Sequence, residues 1–117
     1  MPYIKEWKIP IKCISKEELL ERINNKKDFV IVDTIGKYDG NKYKIKGAVT
    51  IDYPTVIDRR EELLGYGEII IYCKHKDCVA SKKIASALIS LNVKNVKVYE
   101  GGIDEWRAHN LPVEELI

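Results

Sequence analysis

Short apolar runs recur along this chain with helix-like segments between them, and that alternation leaves few architectures open. Residues 29–33 (Phe-Val-Ile-Val-Asp), 68–72 (Glu-Ile-Ile-Ile-Tyr) and 96–99 (Val-Lys-Val-Tyr) are rich in β-branched and aromatic side chains. Residues 8–13 and 48–52 are weaker versions of the same pattern. Runs this apolar read as strands covered on both faces, and strands separated by helices run parallel. The expected fold is therefore α/β, a mainly parallel central sheet of about five strands with helices on both faces. Ser15-Lys16-Glu17-Glu18 is a capping box and opens a helix to about residue 24, with Leu19, Leu20 and Ile23 on its apolar side. A second helix is predicted over 54–64, with Val56, Ile57, Leu63 and Leu64 inward. A third is predicted over 81–91, with Ile84, Ala87, Leu88 and Leu91 on one face and Asn92 ending it. Gly101-Gly102 turns into a short helix that carries Ile103 and Trp106, the latter a core residue by its spacing. Residues 36–46 are polar and read as a loop. With 117 residues and no repeat or linker, the chain 1–117 is expected to be one domain.

Charge and composition exclude several functions. The net charge is only +2, Lys and Glu are interspersed, and no arginine-rich stripe occurs, so nothing suggests nucleic-acid binding. No apolar stretch approaches bilayer length, and the first residues lack the charged and apolar segments of a secretory leader. The expected location is the cytoplasm, where three cysteines read as thiols rather than as a structural disulfide framework.

The chemistry concentrates in Cys73-Lys74-His75-Lys76-Asp77-Cys78, between the most apolar strand and the third helix. A cysteine at the carboxyl end of a parallel strand, facing a helix start, stands where open α/β sheets bind ligands. Loop amides, the helix dipole and the cations Lys74 and Lys76 all favour a thiolate there, and the thiolate is the nucleophile. The bland alternative is a small buried residue, since cysteine is often found in cores. Cys78 has three readings: a resolving thiol that forms a disulfide with Cys73, a second sulfur acceptor, or an inward apolar residue. Cys73, His75 and Cys78 lack the paired spacing and fourth ligand of a structural zinc site, so no metal or other cofactor is expected. His75 reads as an exposed residue tuning the potential, and Asp77 is expected to face solvent, because a carboxylate aimed inward would oppose ionisation of the thiol. His109 reads as a surface or helix-capping residue. Asp33 is expected to order the loop after its strand by accepting backbone hydrogen bonds. In a parallel sheet, Asp33, the 73–78 loop and Glu100-Gly101-Gly102 share one rim.

Taken together, these residues resemble the rhodanese-like domain, a single-domain sulfurtransferase family, over nearly the whole chain. Val32-Asp33-Thr34 is similar to the family's strand-ending Asp, and Lys44-Ile45-Lys46-Gly47-Ala48-Val49 to the stretch usually written G-H-I-P-G-A. Ile71-Tyr72-Cys73 matches the strand leading to the family's cysteine. Tyr99-Glu100-Gly101-Gly102-Ile103-Asp104-Glu105-Trp106, followed by Leu111-Pro112-Val113, is close to its closing signature. The resemblance implies an enzyme that moves a sulfane sulfur from a donor such as thiosulfate or a persulfide to a thiophilic acceptor, through a persulfide on Cys73. Lys74, His75, Lys76, Asp77, Cys78, Val79 and Ala80 would then cradle the anion. Ser81 would stand at the helix start, where its hydroxyl can cap or donate into the site. Gly101, Gly102 and Asp33 would support the rim. Partners would be small sulfur donors and acceptors, or a sulfur-relay protein.

The chain departs from the family in its charges. Ala80 stands where the family's loop arginine is common, Ile35 where another often follows the Asp, and Lys44 and Lys46 replace the usual His and Pro. Lysine lacks the bidentate fork of arginine, so the donor preference is expected to differ. No arginine lies between Arg60 and Arg107, which argues against the phosphatases and arsenate reductases built on this fold, whose loop arginine clamps a tetrahedral oxyanion. The non-enzymatic alternative is a rhodanese-like binding or regulatory module. A thiol redox role for Cys73 and Cys78 is the other alternative.

Overall fold

The computed structural model describes residues 11–25, 28–37, 40–52, 55–77 and 79–116. In chain order the elements are β1 (Lys12–Ile14), α1 (Lys16–Asn24), β2 (Val30–Asp33), β3 (Tyr43–Ile45), β4 (Val49–Thr50), a 3₁₀ turn (Arg60–Leu63), β5 (Ile69–Tyr72), α2 (Ala80–Ser90), β6 (Val96–Tyr99), α3 (Gly102–Ala108) and β7 (Val113–Glu115). The main sheet has the order β1-β6-β5-β2-β4, and all its pairs are parallel. β5 is central and buried at every position. Its side chains alternate between the two faces, as the pleat requires. Ile69 and Ile71 join Ile84, Ala85 and Leu88 of α2 in one core. Ile70 and Tyr72 join Leu19 of α1 and Ile103 and Trp106 of α3 in the other. The expected parallel sheet with helices on both faces is present. Among the described residues, no helix is long and apolar enough to cross a membrane.

Local sequence explains the helix ends. Ser15 Oγ accepts from the Glu18 amide at 3.1 Å, while the Glu18 carboxylate accepts from the Ser15 amide at 3.0 Å, completing the capping box. At the far end of α2, Asn92 adopts a left-handed φ of 66°. The Asn92 amide donates to Ile89 O and the Val93 amide to Leu88 O, the paired bonds of a Schellman turn. α3 repeats the device with Asn110 (φ 55°), whose amide reaches Arg107 O while that of Leu111 reaches Trp106 O.

Several expectations need correction. The run 54–64 is not an α-helix where it is described; it holds turns and the 3₁₀ segment. Residues 58–62 are all charged, so no apolar stripe crosses the middle, and Val56 and Leu63 anchor only the ends. Leu64, expected inward, is 58% exposed. Leu91 is 45% exposed because α2 stops there, and Val93 folds back into the core in its place. The 36–46 segment is not all loop: β3 lies within it and pairs antiparallel with β7, Ile45 opposite Val113. The first strand is described only from residue 11 and is observed as Lys12–Ile14.

Candidate functional site

The carboxyl ends of three strands meet in register, with Asp33 beside Tyr72 and Tyr72 beside Tyr99. Cys73 directly follows Tyr72 and lies on this rim. The strand end beneath it is fixed from two sides. Thr34 donates through both its amide (3.4 Å) and its hydroxyl (2.9 Å) to Tyr72 O. The Tyr72 hydroxyl accepts from the Ile45 amide at 2.9 Å. Asp33, fully buried, accepts from the amides of Ile35 (3.0 Å) and Gly36 (3.3 Å) and from Thr50 Oγ1 (3.1 Å), and so shapes the first turn of the neighbouring loop. Burial pushes its carboxyl above the usual range, although these bonds and the charge of Lys44 oppose that rise.

The glycine pair supports the loop from the other side. The Cys73 carbonyl accepts from the Ile103 amide at 3.1 Å, and the Lys74 carbonyl from the Asp104 amide at 2.9 Å. This docking demands a bare Cα at Gly102, where a Cβ would lie 2.5 Å from Lys74 O and 2.6 Å from Cys73 O. The Glu105 side chain curls against Gly101 and its carboxylate accepts from the Tyr99 hydroxyl at 2.6 Å. In a trans peptide the carbonyl and the following N–H point opposite ways. With the Cys73 and Lys74 carbonyls drawn to α3, the amides of Lys74 and His75 are turned to the opposite side. Successive amides sharing one direction are the element from which anion-binding concavities are built.

The remaining loop residues spread around this core. Lys74 is half-buried, with its ammonium 4.0 Å from Asp104. His75, Lys76 and Asp77 are exposed, and the Asp77 amide donates to His75 Nδ1 at 3.2 Å. Cys78 lies outside the described residues. Ala80 is half-buried and Ser81 is buried. α2 starts one residue earlier than expected, so the exposed Val79, not Ser81, holds the cap position, and its side chain makes no capping bond. Cys73 is 6% exposed and disulfide-bonded, so any thiolate chemistry belongs to the reduced chain. Cys13 is a free thiol, but burial and then Glu100 push its pKa up to about 11, partly offset by Lys82. Such a thiol is inert near neutrality. His109 caps the end of α3, with Nδ1 3.0 Å from Glu105 O. A cleft of about 500 Å³ opens beside the Asp33 turn, lined by Gly36, Lys37, Lys44, Thr50, Asp52, Glu114, Glu115 and Leu116.

Residues 15–109 match the rhodanese-like domain. The chain belongs to the rhodanese-like domain family. An HTH-type transcriptional regulator from Mycobacterium tuberculosis is 30% identical over 106 residues, 91% of this chain and 46% of that protein. This rhodanese-like domain thus spans about half the length of that curated relative. Among solved structures, a full-length protein from Lactobacillus plantarum superposes with a TM-score of 0.80 at 23% identity, over 89% of this chain and 88% of its own. A thiosulfate sulfurtransferase from Pseudomonas aeruginosa superposes with a TM-score of 0.75 at 16% identity, over 92% of this chain and 21% of its own. At these identities the two structures establish the shared fold.

Sequence reasoning passed over several residues that build the rhodanese-like rim. Thr34 carried a signal, standing directly after a strand-ending Asp, as did Thr50 at the end of the adjacent strand. Glu105 is legible only as a member of the closing signature, with no role of its own. Lys82 gave the faintest signal, a lysine in the first turn of a helix, where the dipole disfavours a cation.

Proposed function

We propose that the reduced chain is a sulfurtransferase in which Cys73 is the nucleophile. The observation that carries this reading is the placement of Cys73 at the end of the central strand, beside a loop whose first two carbonyls are held by α3 and whose following amides turn the other way. With thiosulfate, the Cys73 thiolate attacks the outer sulfur. The new S–S bond forms as the old one breaks, and sulfite leaves with the electron pair. The resulting persulfide anion needs hydrogen-bond donors and positive potential rather than a metal, which is what loop amides and Lys74, His75 and Lys76 offer. A thiol or cyanide acceptor then attacks the outer sulfur and restores the thiolate. Ala80 and Ile35 stand where the family's arginines are common, and the lysines of the loop carry no planar fork to clamp a sulfonate, which favours a persulfide donor over thiosulfate. The reading assigns the protein to a reducing compartment, the cytoplasm, where Cys73 is kept as a thiol. Its partners are a small sulfur donor and a thiol acceptor, or a sulfur-relay protein.

The test is turnover by pre-reduced protein with thiosulfate and with a low-molecular-weight persulfide, for the natural chain, Cys73→Ser and Cys78→Ser. The reading expects turnover that Cys73→Ser abolishes, and a mass gain of one sulfur atom on the Cys73 peptide. Loss in Cys78→Ser as well would make the two cysteines a working pair. A second reading, a binding or regulatory module, draws on the transcriptional regulator that this chain matches over 46% of its length. It takes the lead if neither donor turns over and Cys73 gains no sulfur.

A further inference from the structure

Lys82 breaks an ordinary rule of helices. It is the third residue of α2, where the dipole disfavours a cation, and its side chain is only 11% exposed. A buried ammonium needs partners. Its Nζ donates to the carbonyl of Lys76 at 2.9 Å and lies 3.3 Å from the Glu100 carboxylate. The first of these belongs to the Cys73 loop, three residues beyond the cysteine. The second immediately follows β6, the neighbour of β5. Lys82 therefore bridges the second half of the loop to the strand end beside it. α3 holds the first half through the carbonyls of Cys73 and Lys74.

The bond has a consequence along the chain. Fixing the Lys76 carbonyl fixes the peptide that follows it, and turns the Asp77 amide the opposite way. That amide donates to His75 Nδ1 at 3.2 Å. Lys82 thus sets the Lys76–Asp77 peptide and, through it, the seat of the His75 ring, without standing among the exposed groups of the loop. Sequence reasoning gave the loop's positive charge to Lys74, His75 and Lys76; the buried cation behind them has a different task.

We propose that Lys82 is a positioning residue for the Cys73 loop, holding the Lys76–Asp77 peptide in a geometry that, in the reduced chain, stabilises the cysteine thiolate and its persulfide. The turnover arm of the test rests on the sulfur-transfer reading; the alkylation arm does not. The other charged groups around the loop are Lys74 with Asp104, His75, Lys76, Asp77 and Glu100, the last of which loses its ion-pair partner when Lys82 is altered.

The experiment compares Lys82→Met and Lys82→Arg with the natural chain, all pre-reduced. Alkylation of Cys73 by iodoacetamide is followed against pH on the Cys73 peptide, and kcat and KM are measured with a persulfide donor. In Lys82→Met the midpoint of Cys73 alkylation is expected to rise by about one pH unit, a tenfold change in the thiolate equilibrium. kcat is expected to fall about tenfold, more than KM rises, as happens when a group that orients the reacting centre is lost. Lys82→Arg, which keeps a long cationic donor, restores most of both. An unmoved midpoint in Lys82→Met overturns the proposal, as does a midpoint shift that Lys82→Arg shares in full. If the natural chain transfers no sulfur, the sulfur-transfer reading fails and the alkylation midpoint alone decides the role of Lys82. Should Lys82→Met not fold, Glu100→Ala at the exposed end of the bridge is expected to slow turnover about threefold, the scale of a partly exposed ion pair, and to raise the midpoint, against the fall that loss of a nearby anion alone would give. A midpoint that falls or stays, with turnover unchanged, then overturns the proposal.

Discussion

Gly102 has no room for a methyl group. A Cβ there would lie 2.5 Å from Lys74 O and 2.6 Å from Cys73 O, and its φ of +71° is one that other residues rarely adopt. Gly102→Ala is expected to cost about 1–3 kcal/mol from overpacking and strain together. The cost should appear twice: as a lower urea midpoint, and as a change in Cys73 alkylation larger than the loss of folded protein explains. An alkylation rate per folded molecule equal to that of the natural chain would show that the loop tolerates a shift of α3. Thr34 offers a gentler probe of the same strand end. Thr34→Val keeps the shape and removes the hydroxyl bonded to Tyr72 O, and should cost about 1 kcal/mol by urea titration. At this scale the sequence was uneven. Cys73 stood out because a polar loop after an apolar strand is a local pattern. Lys82 did not, because its meaning is a contact made six residues back, which no spacing rule announces.

At the scale of elements, what was legible was what is written locally. The Ser15–Glu18 box is a four-residue pattern that forms wherever it occurs, and Ser15→Ala should lower stability by about 1 kcal/mol. β2 and β5 are legible because burial on both faces leaves an apolar run, and β6 because β-branched and aromatic residues flank its single lysine, Lys97. β3 and β7 were not: each has three residues, and they find one another across most of the chain. The run 54–64 imitates a helical stripe because its apolar residues, Val56 and Ile57 at one end and Leu63 and Leu64 at the other, flank the charged middle that holds the 3₁₀ segment. The end of α2 was foreseen at Asn92, but not the return of Val93 to the core, which leaves Leu91 outside. That turn is testable through its left-handed residue. Asn92→Gly should leave stability unchanged or raise it, and Asn92→Ala should lower it by about 1 kcal/mol, the cost of a Cβ in that conformation. Equal midpoints for Gly and Ala would mean that the left-handed turn does not carry the helix end.

Across the whole molecule the two ends of the sheet carry opposite electrostatic signatures. At the end away from Cys73, Glu68 joins α1, β5 and β6. Its carboxylate accepts from Arg22 Nε at 2.9 Å and from Nη2 at 3.3 Å, and it pairs with Lys97 Nζ. Burial pushes the Glu68 carboxyl up, but the bonds from Arg22 and Lys97 outweigh it and hold the group below the usual carboxylate range. A depressed acid contributes stability above its unfolded pKa and loses it as pH falls through the folded value. At the Cys73 end, Asp33 is raised, chiefly by burial. Its contribution is greatest below the unfolded pKa and is lost as pH rises through the raised value. The two residues therefore bend the stability curve in opposite directions across the carboxylate range. Glu68→Gln should cost about 2–3 kcal/mol at neutral pH, less than a fully buried pair because the three side chains keep between 14% and 17% of their surface in water. It should also flatten the acid limb of a urea-midpoint titration. Asp33→Asn keeps an acceptor for the amides of Ile35 and Gly36 and removes a charge that burial penalises, so it should steepen the same limb and cost less at neutral pH than Glu68→Gln. Parallel curves for the natural chain and both variants would show that neither carboxyl titrates with folding. Curves displaced to the same side would place the two groups in one environment, against the separation that the parallel sheet imposes between its foundation and its rim.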